Sequence, residues 1–175
     1  GVALDTFHTL VDPLRPLPPL IQNLTGITND ELEKAPPLSM VAPGLLTFLG
    51  GHPILGQNIA FDLSFLSKSG IKPSAPAYDT LELANLLLPQ LGSHSLASLA
   101  KQFGVDTSNA HRAVPDARMA HQVFLALLRK ALELDTPLLA EIQRLASYTQ
   151  GSLSHIFSSL LEEKQAGNLL LQSPG

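Results

Sequence analysis

The 175 residues contain no cysteine, which removes disulfides, thiolate zinc sites and a cysteine nucleophile and leaves any metal to oxygen or imidazole ligands. The same absence fits a reducing compartment, and the cytoplasm is the expected location. Charge is also scarce, at 15% Asp, Glu, Lys and Arg against the roughly 25% of an average domain. Eleven Lys and Arg face fifteen Asp and Glu, a formal net charge of -4, so the totals do not point to a broad basic surface that grips nucleic acid. A metal-mediated or locally basic contact stays open. Aromatics make up only 5%, yet 45% hydrophobic residues suffice for one buried core and argue against disorder of the whole chain.

Residues 35–61 carry no charged side chain, but Pro36, Pro37, Pro43, Pro53, Gly50, Gly51 and Gly56 break them into short pieces. No membrane span and no membrane partner are expected from such a stretch. The opening Gly-Val-Ala-Leu-Asp lacks the basic and long apolar regions of a secretory signal, and the chain reads as a piece of something longer. There is no Gly-rich phosphate loop, nucleophile elbow, paired-histidine zinc helix or internal repeat.

What is present alternates strand and helix signals. VALDTFHTLV (2–11) runs into Asp12-Pro13 and reads as an opening strand. Thr28 followed by Glu31 matches a capping box for a short helix that Pro36 stops, and Ser39–Leu49 reads as a helix containing Pro43. Pro53–Gly56 is a short apolar strand. Asn58 then caps a helix in which Phe61, Phe65 and Leu66 share a face until Gly70, with Asp62 in the first turn or so. Ala77–Asp79 is a strand end, Asp79 or Thr80 caps the next helix, and Ser95–Phe103 is a further helix closed by Gly104. Pro115 suits the first position of a long helix to about Leu134, with Ala117, Ala120, Val123, Phe124, Leu127, Leu128 and Ala131 as its buried stripe. Thr136-Pro137 opens a helix to about Tyr148, and a last amphipathic segment reaches Lys164. The pattern is that of an α/β fold with a boundary near residue 135, after which the chain is a helical extension or a connector.

Two segments carry chemistry: GQNIAFDLSFL (56–66) and AHRAVPDA (110–117). Taken singly, Asp62 and Asp116 are acids favoured by a helix N-terminus, His111 is a loop histidine and Arg112 a solvated side chain. If the two helix starts converge, the aspartates offer hard oxygen ligands to Mg²⁺ or Mn²⁺ and His111 lies near enough to deprotonate a water.

At these residues the sequence resembles the DnaQ-like exonucleases of the DEDDh subclass, the type of the epsilon proofreading subunit of bacterial DNA polymerase III. FHTLVDPLRPLPPLIQNLTGIT is similar to that family's third strand and following helix, GQNIAFDLSFL to its second exonuclease motif, YDTLELANLLLP to the next strand and helix, and AHRAVPDA to its third motif. The resemblance covers about residues 1 to 134 and implies a ribonuclease H-like mixed sheet flanked by helices. It also implies metal-dependent 3′–5′ hydrolysis of DNA in replication or repair, with a single-stranded or frayed 3′ end as substrate and RNA a further possibility. By resemblance Asp62 and Asp116 bind two Mg²⁺ or Mn²⁺ ions, His111 is the general base, and Asn58, Phe61 and Arg112 touch the substrate.

The departures carry equal weight. The family's first motif, an Asp-x-Glu on the first strand, has no counterpart here. In LDTFHT, Asp5 invites the comparison, but the Glu position is Phe7, which cannot ligate a metal. Residues 7–13 fit the third strand better, so the first two strands and two carboxylates are expected upstream of Gly1, and this chain alone is expected to be weak or inactive. Gln57 stands where a His is common. Residues 136–175 resemble the segment that follows the exonuclease domain in fusions to a DinG-type helicase, which implies a fused helicase as partner, while the epsilon-type resemblance implies a polymerase subunit instead. Two alternatives stay open: a catalytically silent exonuclease-fold module that binds nucleic acid, polymerase or helicase, and a helical interaction protein in which Asp62, His111 and Asp116 lie far apart.

Overall fold

The computed structural model describes residues 3–108, 112–149 and 151–167. Its N-terminal third is built by short helices set between prolines and glycines. Helix α1 (Pro19–Thr25) stops at Gly26, whose left-handed φ of 69° lets its N–H reach the Gln22 carbonyl at 2.8 Å. Helix α2 (Asn29–Leu32) opens on the expected capping box: Thr28 Oγ1 accepts the Glu31 N–H, and Glu31 Oε2 accepts the Thr28 N–H at 2.8 Å. Helix α3 (Leu38–Leu49) carries Pro43 within it and ends at Gly50.

The opening segment departs from its sequence reading. Residues 3–11 form no strand; the only ladder contact is a single parallel bridge between Asp12 and Pro37, with the Asp12 N–H 3.0 Å from the Pro36 carbonyl. The Val, Thr and Phe preference for a pleated surface is realised only beside a partner strand, and no described strand runs alongside residues 3–10. Phe7 instead packs on Phe48 of α3, ring centroids 5.7 Å apart, while Leu4 stands in solvent.

Strands β1 (Ile54–Gly56) and β2 (Ala77–Asp79) pair in parallel, Gly56 opposite Asp79, and form the only sheet among the described residues. Helix α4 (Ile59–Lys68) makes the crossover that parallel pairing requires. Gly70, at φ 77°, turns the chain after it. Helix α5 (Thr80–Leu87) follows β2 directly, and helix α6 (Leu96–Gln102) starts at Ser95, whose hydroxyl accepts the Ser98 N–H.

Helix α7 (Ala113–Leu132) is the axis of the core. It lies against β1, α5, α6 and, further on, helix α9 (Leu153–Gln165), which pairs with helix α8 (Thr136–Ala146). Its buried stripe is Met119, Ala120, Val123, Leu127 and Ala131, with Phe124 and Leu128 partly covered. Phe124 stacks on Tyr78 of β2 at 6.0 Å between centroids. Ala117, expected in that stripe, is exposed, because α7 turns this residue toward an open trough rather than toward the core. The helix begins two residues before Pro115; the proline is still accommodated, since first-turn N–H groups have no intrahelical partner.

The α8–α9 hairpin shares this core. Leu139 and Phe157 are fully buried and belong to one cluster with Leu83, Leu99, Val123 and Leu127. Asp135 caps α8 by accepting the Leu138 N–H at 2.8 Å, and Lys164 Nζ donates to the carbonyls of Leu132, at 3.0 Å, and Leu134, closing the end of α7. On the opposite side, residues 3–11, α3 and α7 enclose a trough of about 970 Å³ with Phe7, Val41, Phe48, Ala117, His121 and Leu125 in its wall. No described helix is long and apolar enough to cross a membrane.

Candidate active site

The site is launched from the carboxyl end of β1, where ligands of parallel α/β sheets gather. A Cβ on Gly56 would stand 2.5 Å from Ile59 Cδ1 and 3.3 Å from its Cβ, so a larger residue there would push the Ile59 side chain aside. Asn58 then takes a left-handed conformation, φ 55° and ψ 44°, which costs an L-residue roughly 1 kcal/mol and which Asn tolerates better than most. Asn58 occupies the N-cap position of α4, as expected, but its side chain makes no capping bond. The cap comes from across the sheet. Asp79 Oδ1 accepts the N–H of Asn58 at 2.8 Å and Oδ2 that of Ile59 at 3.1 Å, while Oδ1 also accepts the Leu81 N–H at 2.8 Å and so caps α5.

A second link lies beside it. The fully buried Thr80 hydroxyl sits 3.2 Å from the Gly56 carbonyl and hydrogen-bonds Gln57 Oε1, and Gln57 Nε2 donates to the His94 carbonyl at 2.8 Å. The His94 ring in turn contacts the Leu88 carbonyl at 2.8 Å. Gln57, at the position where the resemblance has a His, is therefore held inside the scaffold.

Asp62 lies in the first turn of α4 and reaches solvent. Its carboxyl is nevertheless raised above the ordinary value, first by the protein mass around it and further by the negative charge of Asp79, with a hydrogen bond to its own backbone opposing. Glu82, in the first turn of α5, is raised for the same two reasons. Asp116 stands in the first turn of α7, half-buried, on the helix face that continues through Ala120, Val123 and Leu127. Because α7 packs on β1, the structure places both aspartates on helices attached to the same strand. His111 lies outside the described residues.

The substrate-contact candidates occupy different surroundings. Arg112 precedes α7 and lays its guanidinium over the α1–α2 elbow: its Nη2 is 3.5 Å from where a Cβ on Gly26 would be, and its charge helps hold the Glu31 carboxyl below the usual range, after the dominant hydrogen bonds from Thr28. Phe61 is 70% exposed and Phe65 also faces water, so of the expected apolar face of α4 only Leu66 is partly covered. The residue that sequence reasoning undervalued is Asp79, read there only as a cap for α5. Its reach to Asn58 and Ile59 follows from the parallel register of Gly56 with Asp79, which no local pattern displays.

Carboxylate oxygens suit Mg²⁺ or Mn²⁺ and not a soft ion. Among the described residues, however, no three His, Asp or Glu side chains lie close enough to share one ion. The chemistry therefore fits, with two carboxylates where a two-ion site needs more.

A family model for exonucleases matches residues 2–124. The DNA polymerase III subunit epsilon of Aquifex aeolicus (strain VF5) is 35% identical over 135 residues, covering 74% of this chain and 67% of that protein. The 3′-5′ exonuclease DinG of Bacillus subtilis (strain 168) is 29% identical over 170 residues, 94% of this chain but 18% of that protein. A PolC-type DNA polymerase III of Bacillus cereus is 32% identical over 138 residues, and the chain spans 10% of its length. Among solved structures, exonuclease X in complex with 5′ overhanging duplex DNA superposes with a TM-score of 0.57 at 21% identity, covering 69% of this chain and 70% of that one, a likeness of the ribonuclease H-like fold. With most of its length matched by the family model and two thirds of an epsilon subunit covered at 35% identity, the chain belongs to the exonuclease family.

Proposed function

We propose that the chain works in a metal-dependent 3′–5′ exonuclease of the DEDDh type that hydrolyses phosphodiester bonds at a 3′ end of DNA. The observation that carries this reading is Asp62. It is an exposed carboxylate one turn after a helix start that Asp79 anchors at the carboxyl end of β1, and the protein mass around it and the charge of Asp79 raise its carboxyl above the ordinary value, so a cation relieves it. Asp62 and Asp116 hold Mg²⁺ or Mn²⁺ through their oxygens. When bound, such ions orient the attacking water and stabilise the leaving 3′ oxygen. His111 takes the proton from that water. Exposed Phe61 offers its ring face to the terminal base, worth about 1–3 kcal/mol for a stacked base. Asn58 and Arg112 contact the backbone of the strand.

The further carboxylates of the family pattern come from outside the described residues, and the 175-residue chain by itself is weak or inactive. The expected partners are a frayed or single-stranded 3′ end and a polymerase subunit or fused helicase, with residues 135–175 as the extension toward it. A silent nucleic-acid-binding or polymerase/helicase-binding module is the second reading.

The test uses 5′-labelled single-stranded DNA and RNA with Mn²⁺, this chain, and the chain extended upstream in its native reading frame. Stepwise shortening from the 3′ end that requires Mn²⁺ and disappears in Asp116→Ala supports the nuclease, and the preferred strand assigns DNA or RNA. Two folded proteins that retain the oligonucleotide without shortening it support the silent module.

A further inference from the structure

We infer that Asp79 is a positioning residue for the candidate site: one carboxylate takes backbone amides from the starts of two helices and fixes the turn from which Asp62 is aimed. A helix cap needs only the nearby Leu81 amide. Asp79 also takes Asn58 and Ile59, twenty and more residues earlier, and thereby ties the exit of β1 to the exit of β2. Without it, the amides of the N-cap Asn58 and of Ile59, the first residue of α4, have no described acceptor. The left-handed Asn58 also loses the restraint that holds it in a conformation an L-residue leaves readily. Asp62 sits one turn further on, so a rotation of that turn re-aims its carboxylate. Three accepted amides occupy most of the four or so lone-pair sites of the Asp79 carboxylate, so its chemistry is that of an anchor and not of a metal ligand. Thr80 and Gln57 brace the same exit from the other side, so the turn is clamped between two consecutive residues of the β2–α5 junction.

The inference rests on the reading of Asp62 as a metal-binding carboxylate, and its test separates the two. Amide hydrogen exchange is followed residue by residue in the parent chain and in Asp79→Asn. The expected result is at least tenfold faster exchange at Asn58 and Ile59 with Val123, in the middle of α7, unchanged. Adding Asn58→Gly, which removes the left-handed penalty, is expected to recover part of the protection at Ile59 in Asp79→Asn while changing the parent little. Unchanged exchange at Asn58 and Ile59, or an equal effect of Asn58→Gly in both backgrounds, overturns the inference. Asp79→Glu, which keeps a charged acceptor one methylene further out, replaces Asp79→Asn if that variant does not fold, with the same criteria. In the nuclease-active form, Asp79→Asn is expected to lower kcat at least tenfold with KM for DNA unchanged; a raised KM with unchanged kcat overturns it. If no form cleaves, the nuclease reading fails, while the exchange pattern still decides whether Asp79 holds the turn.

Discussion

Phe157→Ala tests whether α8 and α9 fold as one body with the rest of the chain. Phe157 is fully buried on α9 and shares its cluster with Leu83, Val123 and Leu127 from α5 and α7. Removing the ring loses roughly 2–3 kcal/mol of transfer free energy. The cavity left behind, roughly 100 Å³ if the site does not collapse, adds about 2 kcal/mol at about 24 cal/mol per Å³, and the total falls at roughly 4–5 kcal/mol. With a urea slope of about 2 kcal/mol/M, the midpoint should drop by roughly 2 M in a single transition seen alike by circular dichroism and, with Tyr148→Phe in both proteins, by fluorescence of Tyr78 in β2. Leu138→Ala, on the outer face of α8 where the side chain is 46% exposed, is the control and should cost less than about 1 kcal/mol. An unshifted main transition preceded by separate melting of about two helices would show that the hairpin is only appended, and the reasoning would be wrong.

Three further outcomes follow from the site and its supports. The raised carboxyl of Asp62 stabilises the fold only while protonated, so that contribution is present below the unfolded pKa and lost as pH rises through the folded one. Asp62→Asn should therefore match the parent near pH 3.5 and exceed it at pH 7 in the absence of divalent ions, by at most about 0.5 kcal/mol after solvent screening; urea midpoints at the two pH values with the opposite order would refute the assignment. Lys164→Met removes the donor that closes the end of α7 and should cost about 1–2 kcal/mol by thermal melting, most of it surviving in 0.5 M salt because the acceptors are carbonyls. His111→Ala should lower the cleavage rate of the active form by about 10²-fold with little change in the Mn²⁺ concentration needed, and an unchanged rate would remove it as general base.

The elements most legible in the sequence are those fixed by local chemistry. The Thr28–Glu31 box, the Ser95 cap, the glycines at 70 and 104 and, apart from Ala117, the apolar stripe of α7 stand where their spacing puts them, because each is satisfied within one or two turns of chain. That residues 3–11 form no strand was not legible, since their side chains state a preference whose fulfilment depends on a neighbour. Phe61 and Phe65 mislead for a related reason: helical spacing shows that two rings share a face, not whether anything covers it. At the site, the motifs marked Asp62 and Asp116, whereas the clamp that orients Asp62 is made by residues brought together only by strand register.

Helix α7 carries Asp116 in its first turn, and Lys164 grips the carbonyls at its far end. The rise from Asp116 to Leu132 is roughly 24 Å at 1.5 Å per residue. The rod is stiff between those points because its middle is wedged by Val123 and Leu127. It forms a strut between the proposed site at Asp116 and the terminal hairpin. Torsion applied through α9 is thus expected to reach Asp116, the proposed metal ligand, as a small rotation, which would give the α8–α9 hairpin leverage over that carboxylate.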